Sequence, residues 1–240
     1  MKKPAINATL LRMKARLFIP ILTIFVAFTL AFSQDSKENA DFKLAVNLYN
    51  DKLYDLALEQ FQQFINRYPG SQQAVEAKFY LGLTQSKLGL HEDARFTFQN
   101  FALSYPDNPN AAEAWWNVAE SYAALHNDRE AAIAFERIKV FHPRSKLAAS
   151  GLLRASEYFE AGNDKASAEK MLRALLQEYP GSDVALKARA KLAVLALANS
   201  QFETARAEAQ RIITATKEPE QKAEAQLLLA KAFLGLGRYQ

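Results

Sequence analysis

Four prolines stand 37 residues apart, at Pro69, Pro106, Pro143 and Pro180. Each closes an aromatic-Pro or His-Pro step inside a segment that recurs with it. The segments are FINRYPGSQQAVEAKFYLG from Phe64, FALSYPDNPNAAEAWWNVA from Phe101, IKVFHPRSKLAASGLLRAS from Ile138 and LLQEYPGSDVALKARAKLA from Leu175. A fifth copy, IITATKEPEQKAEAQLLLA from Ile212, keeps the register but carries its proline two places late, at Pro219. A period of this length marks an array of supersecondary units, each burying its apolar face only against its neighbours. Proline disrupts a helix interior and the residue before it resists helical geometry, so one helix ends at each step and another begins. Eleven helices are predicted, near 37–50, 54–67, 71–88, 91–104, 109–125, 128–141, 145–161, 164–178, 182–199, 202–215 and 219–236. The composition agrees: Ala, the strongest helix former, occurs 42 times, and 8 Gly with 8 Pro are too few for the turns of a β-sandwich.

The recurring residues have packing reasons. The second helix of each pair, helix B, carries a small residue, a large apolar one four places on, and another three beyond. The sets are Ala57/Phe61/Phe64, Ala94/Phe98/Phe101, Ala131/Phe135/Ile138, Ala168/Leu172/Leu175 and the weaker Ala205/Ala209/Ile212. That spacing keeps them on one face. Helix A supplies its own small residue to the contact: Ala45, Gly82, Ala119, Ser156, Ala193 and Ala230.

This pattern resembles the tetratricopeptide repeat (TPR), with Trp115, Tyr122, Tyr54, Phe202, Tyr239, Phe61, Phe98 and Phe135 on its aromatic positions. The resemblance implies an all-α, right-handed solenoid of antiparallel helix pairs, here about five and a half repeats over residues 34–240. It also implies a concave groove lined by helix A. The repeated YP-G/D-S/N step, together with the export signal below, is similar to periplasmic TPR proteins of the Gram-negative envelope. Two types share these features, the Tol-Pal-associated division protein and the TPR lipoprotein of the β-barrel assembly machine. The lipoprotein type carries a Cys at its cut and this chain has none, which favours the division type. The sixth copy stops at Gln240, where helix B should begin, and reads as interrupted.

Residues 1–33 hold five of the 30 basic residues and none of the 26 acidic ones, so residues 34–240 balance to −1 and offer no basic surface for nucleic acid. A basic stretch, the apolar run Leu17–Phe32 and small residues at Ala31 and Ser33 form a secretory signal cleaved before Gln34, giving an exported, periplasmic protein. The rival reading is an uncleaved inner-membrane anchor at residues 17–32, which as a helix would rise ~24 Å against a ~30 Å hydrocarbon core.

No Cys is present and no H-E-x-x-H, G-x-S-x-G, P-loop or dinucleotide motif occurs, so neither catalysis, cofactor, metal nor small-molecule substrate is predicted. Glu120, Glu157 and Glu160 share one helix-A surface, where solvated charge is the plainer reading than acid–base work. Binding is better motivated. Phe42, Val46, Tyr49, Phe79, Leu83, Trp116, Glu120, Leu153, Glu157 and Glu160 are expected to line the groove. There they would hold an envelope protein or peptide by apolar anchors and some basic character. Of the carboxylate clamp seen in some TPR proteins only Lys187 and Lys191 match, with Trp116, Glu120 and Arg154 replacing the rest. The function expected is a non-catalytic envelope scaffold; the alternative is the regulatory or substrate-binding region of a larger exported enzyme continuing past Gln240. The sequence does not specify an oligomeric state.

Overall fold

The computed structural model describes residues 36–237, so the predicted signal lies outside the described residues. Those residues form eleven helices and no strand. They are α1 (36–50), α2 (Tyr54–Arg67), α3 (Gln72–Lys87), α4 (His91–Ser104), α5 (Ala111–Ala124), α6 (Asp128–Phe141), α7 (Leu147–Ala161), α8 (Lys165–Glu178), α9 (Ala185–Ala198), α10 (Phe202–Ala215) and α11 (Pro219–Gly235). Odd-numbered helices are the A helices and even-numbered ones the B helices. Two compact units divide inside α3, one ending at Ala77 and the other beginning at Lys78.

Helices α3, α5, α7 and α9 start one to three residues later than the periodicity predicts, because the residues after Pro69, Pro106, Pro143 and Pro180 form a turn first. Ser71, Asn108, Ser145 and Ser182 each donate a backbone hydrogen bond to the aromatic or His residue three places back, then accept one from Ala74, Ala111, Ala148 and Ala185. The side chains of Ser71, Asn108 and Ser145 also accept the amide two residues on. These short polar side chains therefore hold the chain out of the helix for one turn before releasing it.

The turn from A to B is equally regular. Lys52, Gly89, His126, Asn163, Ser200 and Gly237 all have positive φ and stand 37 residues apart. At the first five of these the amide of the left-handed residue bonds the carbonyl three places back. The next amide reaches five places back, as in Leu90 N–H to Gln85 and Asn127 N–H to Tyr122. This is a Schellman closure, which demands a left-handed residue whatever its side chain. A side chain costs about 1–2 kcal/mol there relative to the right-handed region. His126→Gly is therefore expected to stabilise the protein by about 1 kcal/mol, visible as a rise of a few degrees in the thermal midpoint.

The core follows the predicted columns. Every member of the five helix-B sets is buried, as are Ala45, Gly82, Ala119, Ser156 and Ala193. Closeness is the reason for the small residues: a Cβ on Gly82 would stand 2.8 Å from the Phe98 ring. Ala230 departs from the column and is exposed. In α9, which packs on α10, the equivalent Ala193 is buried, but no described helix covers that side of α11. The opposite side of α11 packs normally, with Ala232 buried beside Ala196 and Ala205.

Candidate partner-binding face

Successive helical residues point ~100° apart, so the adjacent tryptophans of α5 must see different surroundings. Trp115 is 1% exposed, stacked on Phe141 at 5.7 Å with the Arg137 guanidinium 4.9 Å from its ring. Trp116 is half-buried: its ring meets Phe135 edge-on at 4.9 Å. In the first unit, Phe42 is buried and lies 5.4 Å from Phe64, while Val46 and Tyr49 are half-buried. In the second unit, Phe79 is buried against Phe98 and Phe101 at 5.5 and 5.3 Å, and Leu153 is buried, whereas Leu83 stays half-buried.

Phe42, Phe79 and Leu153 thus belong to the core and not to a groove. Phe42 and Phe79 lean onto helix B of their own repeat, held there by the ring contacts. Trp116, in the same helix-A column, remains partly accessible. The surface left on the helix-A side of the second unit includes Leu83, Trp116, Glu120, Glu157, Glu160, the residues that pair with them, and the exposed Val194 of α9.

Those carboxylates are not free. Glu120 lies 3.5 Å from Arg154, which is 3.1 Å from Glu157. Glu157 also takes Lys187 at 3.0 Å and Lys191 at 3.8 Å, and Lys191 lies 3.6 Å from Glu160. Three carboxylates meet three cations, so no net charge remains for a basic partner segment, and the two clamp-like lysines are engaged. Burial pulls the Glu157 carboxyl upward, but hydrogen bonds from Lys187 and Arg154 and the charge of Lys191 outweigh it and hold it below its ordinary value. An ionised carboxylate held in this way is a poor proton shuttle near neutrality. Arg154 also lies 5.6 Å from the Phe135 ring and 5.0 Å from Tyr158, so Phe135 joins Trp116 to an aromatic–arginine cluster.

The sequence reading missed Arg154 as the centre of this network. A spacing signal was present: Glu120–Arg154, Glu136–Lys170 and Glu157–Lys191 are each 34 residues apart, three short of the repeat. One helical turn less than a full period brings a side chain beside its counterpart on the next repeat.

His142 occupies the slot that Tyr fills elsewhere before proline. Tyr179 Oη donates to the Pro143 carbonyl at 2.9 Å, while His142 Nε2 is buried without a partner. Burial lowers the His142 pKa from its ordinary 6.5, against the opposing charge of Asp107. A His whose folded pKa is lowered contributes fully above its ordinary range and loses stability as pH falls through it. His142→Tyr should restore the missing bond, to the Pro106 carbonyl, and add about 1 kcal/mol. It should also reduce the fall in thermal midpoint between pH 7.5 and 5.5, which paired melts at the two pH values would read.

No helix among the described residues is long and apolar enough to cross a membrane, and no group of metal-ligating side chains occurs among them. Helix pairs, αL turns and small-to-aromatic contacts at a constant period define an all-α tetratricopeptide-repeat solenoid. Residues 190–240 match a tetratricopeptide-repeat family directly. Residues 32–211 match the YfiO family, described as outer membrane lipoproteins, and the chain belongs to that family. The preference for the Tol-Pal division type is therefore not supported. The family carries the name of lipoprotein although these 240 residues include no Cys. No curated protein matches the sequence. Among solved structures, a tetratricopeptide-repeat protein from Parabacteroides merdae is 13% identical with a TM-score of 0.56, the match covering 84% of this chain and 74% of that one. MamA is 14% identical with a TM-score of 0.51, covering 81% and 95%. Both resemblances are of fold.

Proposed function

We propose that the protein is a non-catalytic interaction scaffold of the bacterial envelope, exported by the signal at residues 1–33 and cleaved before Gln34. It holds a partner segment on the helix-A face of its third to fifth repeats. The observation that carries this reading is Trp116, a large, partly accessible aromatic whose ring partner Phe135 also meets Arg154 and Tyr158, on an otherwise charge-compensated surface. Trp, Tyr and Arg are the side chains that dominate binding energy at interfaces. Compensated charges beside them fix orientation without repelling either sign of partner. Family membership supports the envelope setting, and the repeat fold supports a role in protein–protein contact.

A photoreactive residue placed at Glu120 should crosslink a defined envelope partner, while one at Lys170 on α8 should not. Equal labelling from both sites overturns the assignment of the face. Mass spectrometry of the periplasmic protein should find a chain beginning at Gln34; an intact residue 1–33 segment would support membrane anchoring instead.

A further inference from the structure

The column of helix-A residues that leans onto helix B holds Phe42, Phe79, Trp116 and Leu153 in the first four repeats, but Ala190 in the fifth. Where four repeats have a large side chain, this one has a gap. A cavity of about 320 Å³ opens there between α9 and α11, floored by the buried Ile212 of α10 and walled by Leu186 and Leu228. A cavity of ~150 Å³ already admits a benzene ring, so this one has room for an aromatic side chain. Two charges stand at its rim, Lys187 and Glu224. Lys187 is neutralised by Glu157 at 3.0 Å, whereas among the described residues Glu224 has no basic partner. The rim therefore carries one uncompensated negative charge beside an apolar hole.

We infer that this cavity is an anchor pocket for a partner segment carrying a large aromatic side chain next to a Lys or Arg. The aromatic group takes the place that Phe79 or Trp116 fills within its own repeat, and the adjacent cation meets the Glu224 carboxylate. This inference rests on the scaffold reading above and names the chemistry of the segment held. The absent side chain explains why the hole lies in the fifth repeat, and the four filled repeats say what size of group fits it.

The probe is the blocked tripeptide acetyl-Lys-Trp-Lys-amide, with acetyl-Glu-Trp-Glu-amide and acetyl-Lys-Ala-Lys-amide as controls. Methyl NMR of the full chain should show shifts at Ile212, Leu186 and Leu228 with the Lys-Trp-Lys peptide. The Glu-Trp-Glu peptide should bind more weakly and the Ala peptide should leave these methyls unmoved. Ala190→Phe fills the gap as its neighbours do, and binding should fall by roughly tenfold or more. Ala190→Leu, matching Leu153, serves the same purpose should the phenyl variant fail to fold. Glu224→Gln should bring the two Trp peptides close to equal affinity.

Absence of methyl shifts in the wild type overturns the proposal, as does an Ala peptide that binds equally well or an Ala190 variant that binds unchanged. A concentration-dependent dimer in sedimentation that Ala190→Phe dissolves would also overturn it, since a second copy would then be the occupant. Crosslinking from position 120 that persists without tripeptide binding removes the pocket and leaves the scaffold standing. Tripeptide binding without any envelope crosslink removes the scaffold reading and leaves the pocket.

Discussion

Trp115→Ala is expected to destabilise the protein by about 3–5 kcal/mol, the range for a large aromatic removed from a close-packed site. The residue is 1% exposed, and its truncation would leave a hole beside Phe141 and strip Arg137 of its ring partner. Trp116→Ala should cost clearly less, because that side chain stays partly accessible to water and its ring contact is one edge-on meeting with Phe135. Its expected loss is in crosslinking to the envelope partner, by about 2 kcal/mol if the residue is a hot spot. Chemical denaturation of the two variants, read beside crosslinking yield, separates the roles. An unstable Trp116→Ala, or a Trp115→Ala that folds normally and no longer binds, would reverse the assignment.

Gly151→Val is expected to cost about 3 kcal/mol, the upper part of the range for overpacking. A Cβ on Gly151 would stand 2.9 Å from the Phe135 carbonyl oxygen and 3.2 Å from Ile138 Cδ1. A side-chain neighbour would yield by rotating; a helical carbonyl yields only if α6 moves bodily away from α7. Valine adds two methyl groups to that obstruction. The comparison variant is Gly181→Val, where a Cβ meets nothing within 4 Å and the φ is not left-handed. Its midpoint in urea should stay near that of the wild type. Equal losses at the two glycines would mean that the α6–α7 contact is looser than described.

The helices were legible because their causes are local and periodic. A proline every 37 residues dictates where helix B stops, whatever lies around it, and the spacing of Ala94, Phe98 and Phe101 states which face is buried. The αL turns were half legible. Gly89 advertises the position openly, but Lys52, His126 and Ser200 occupy it only because the backbone closure imposes the geometry on them. Their side chains give no local sign of it, so only alignment with Gly89 across the period would have exposed the column.

The candidate face was less legible, since exposure belongs to pairs of helices and not to residues. Phe42, Phe79 and Leu153 carry the pattern of an apolar stripe, and nothing within helix A says whether helix B will cover it. Ala230 matches Ala193 in sequence but is exposed, because a second helix covers one and no described helix covers the other. Glu120, Glu157 and Glu160 read as an acidic strip until Arg154, Lys187 and Lys191 arrive from neighbouring repeats and cancel it. The sequence alone determined the period, the helix ends and the identity of the buried helix-B columns, all set by steric rules acting over a few residues. Tertiary structure alone decided which apolar residues stay wet, which charges are paired and where Ala190 leaves a cavity. Each of these depends on the distance between two helices that the chain does not place side by side until it has folded.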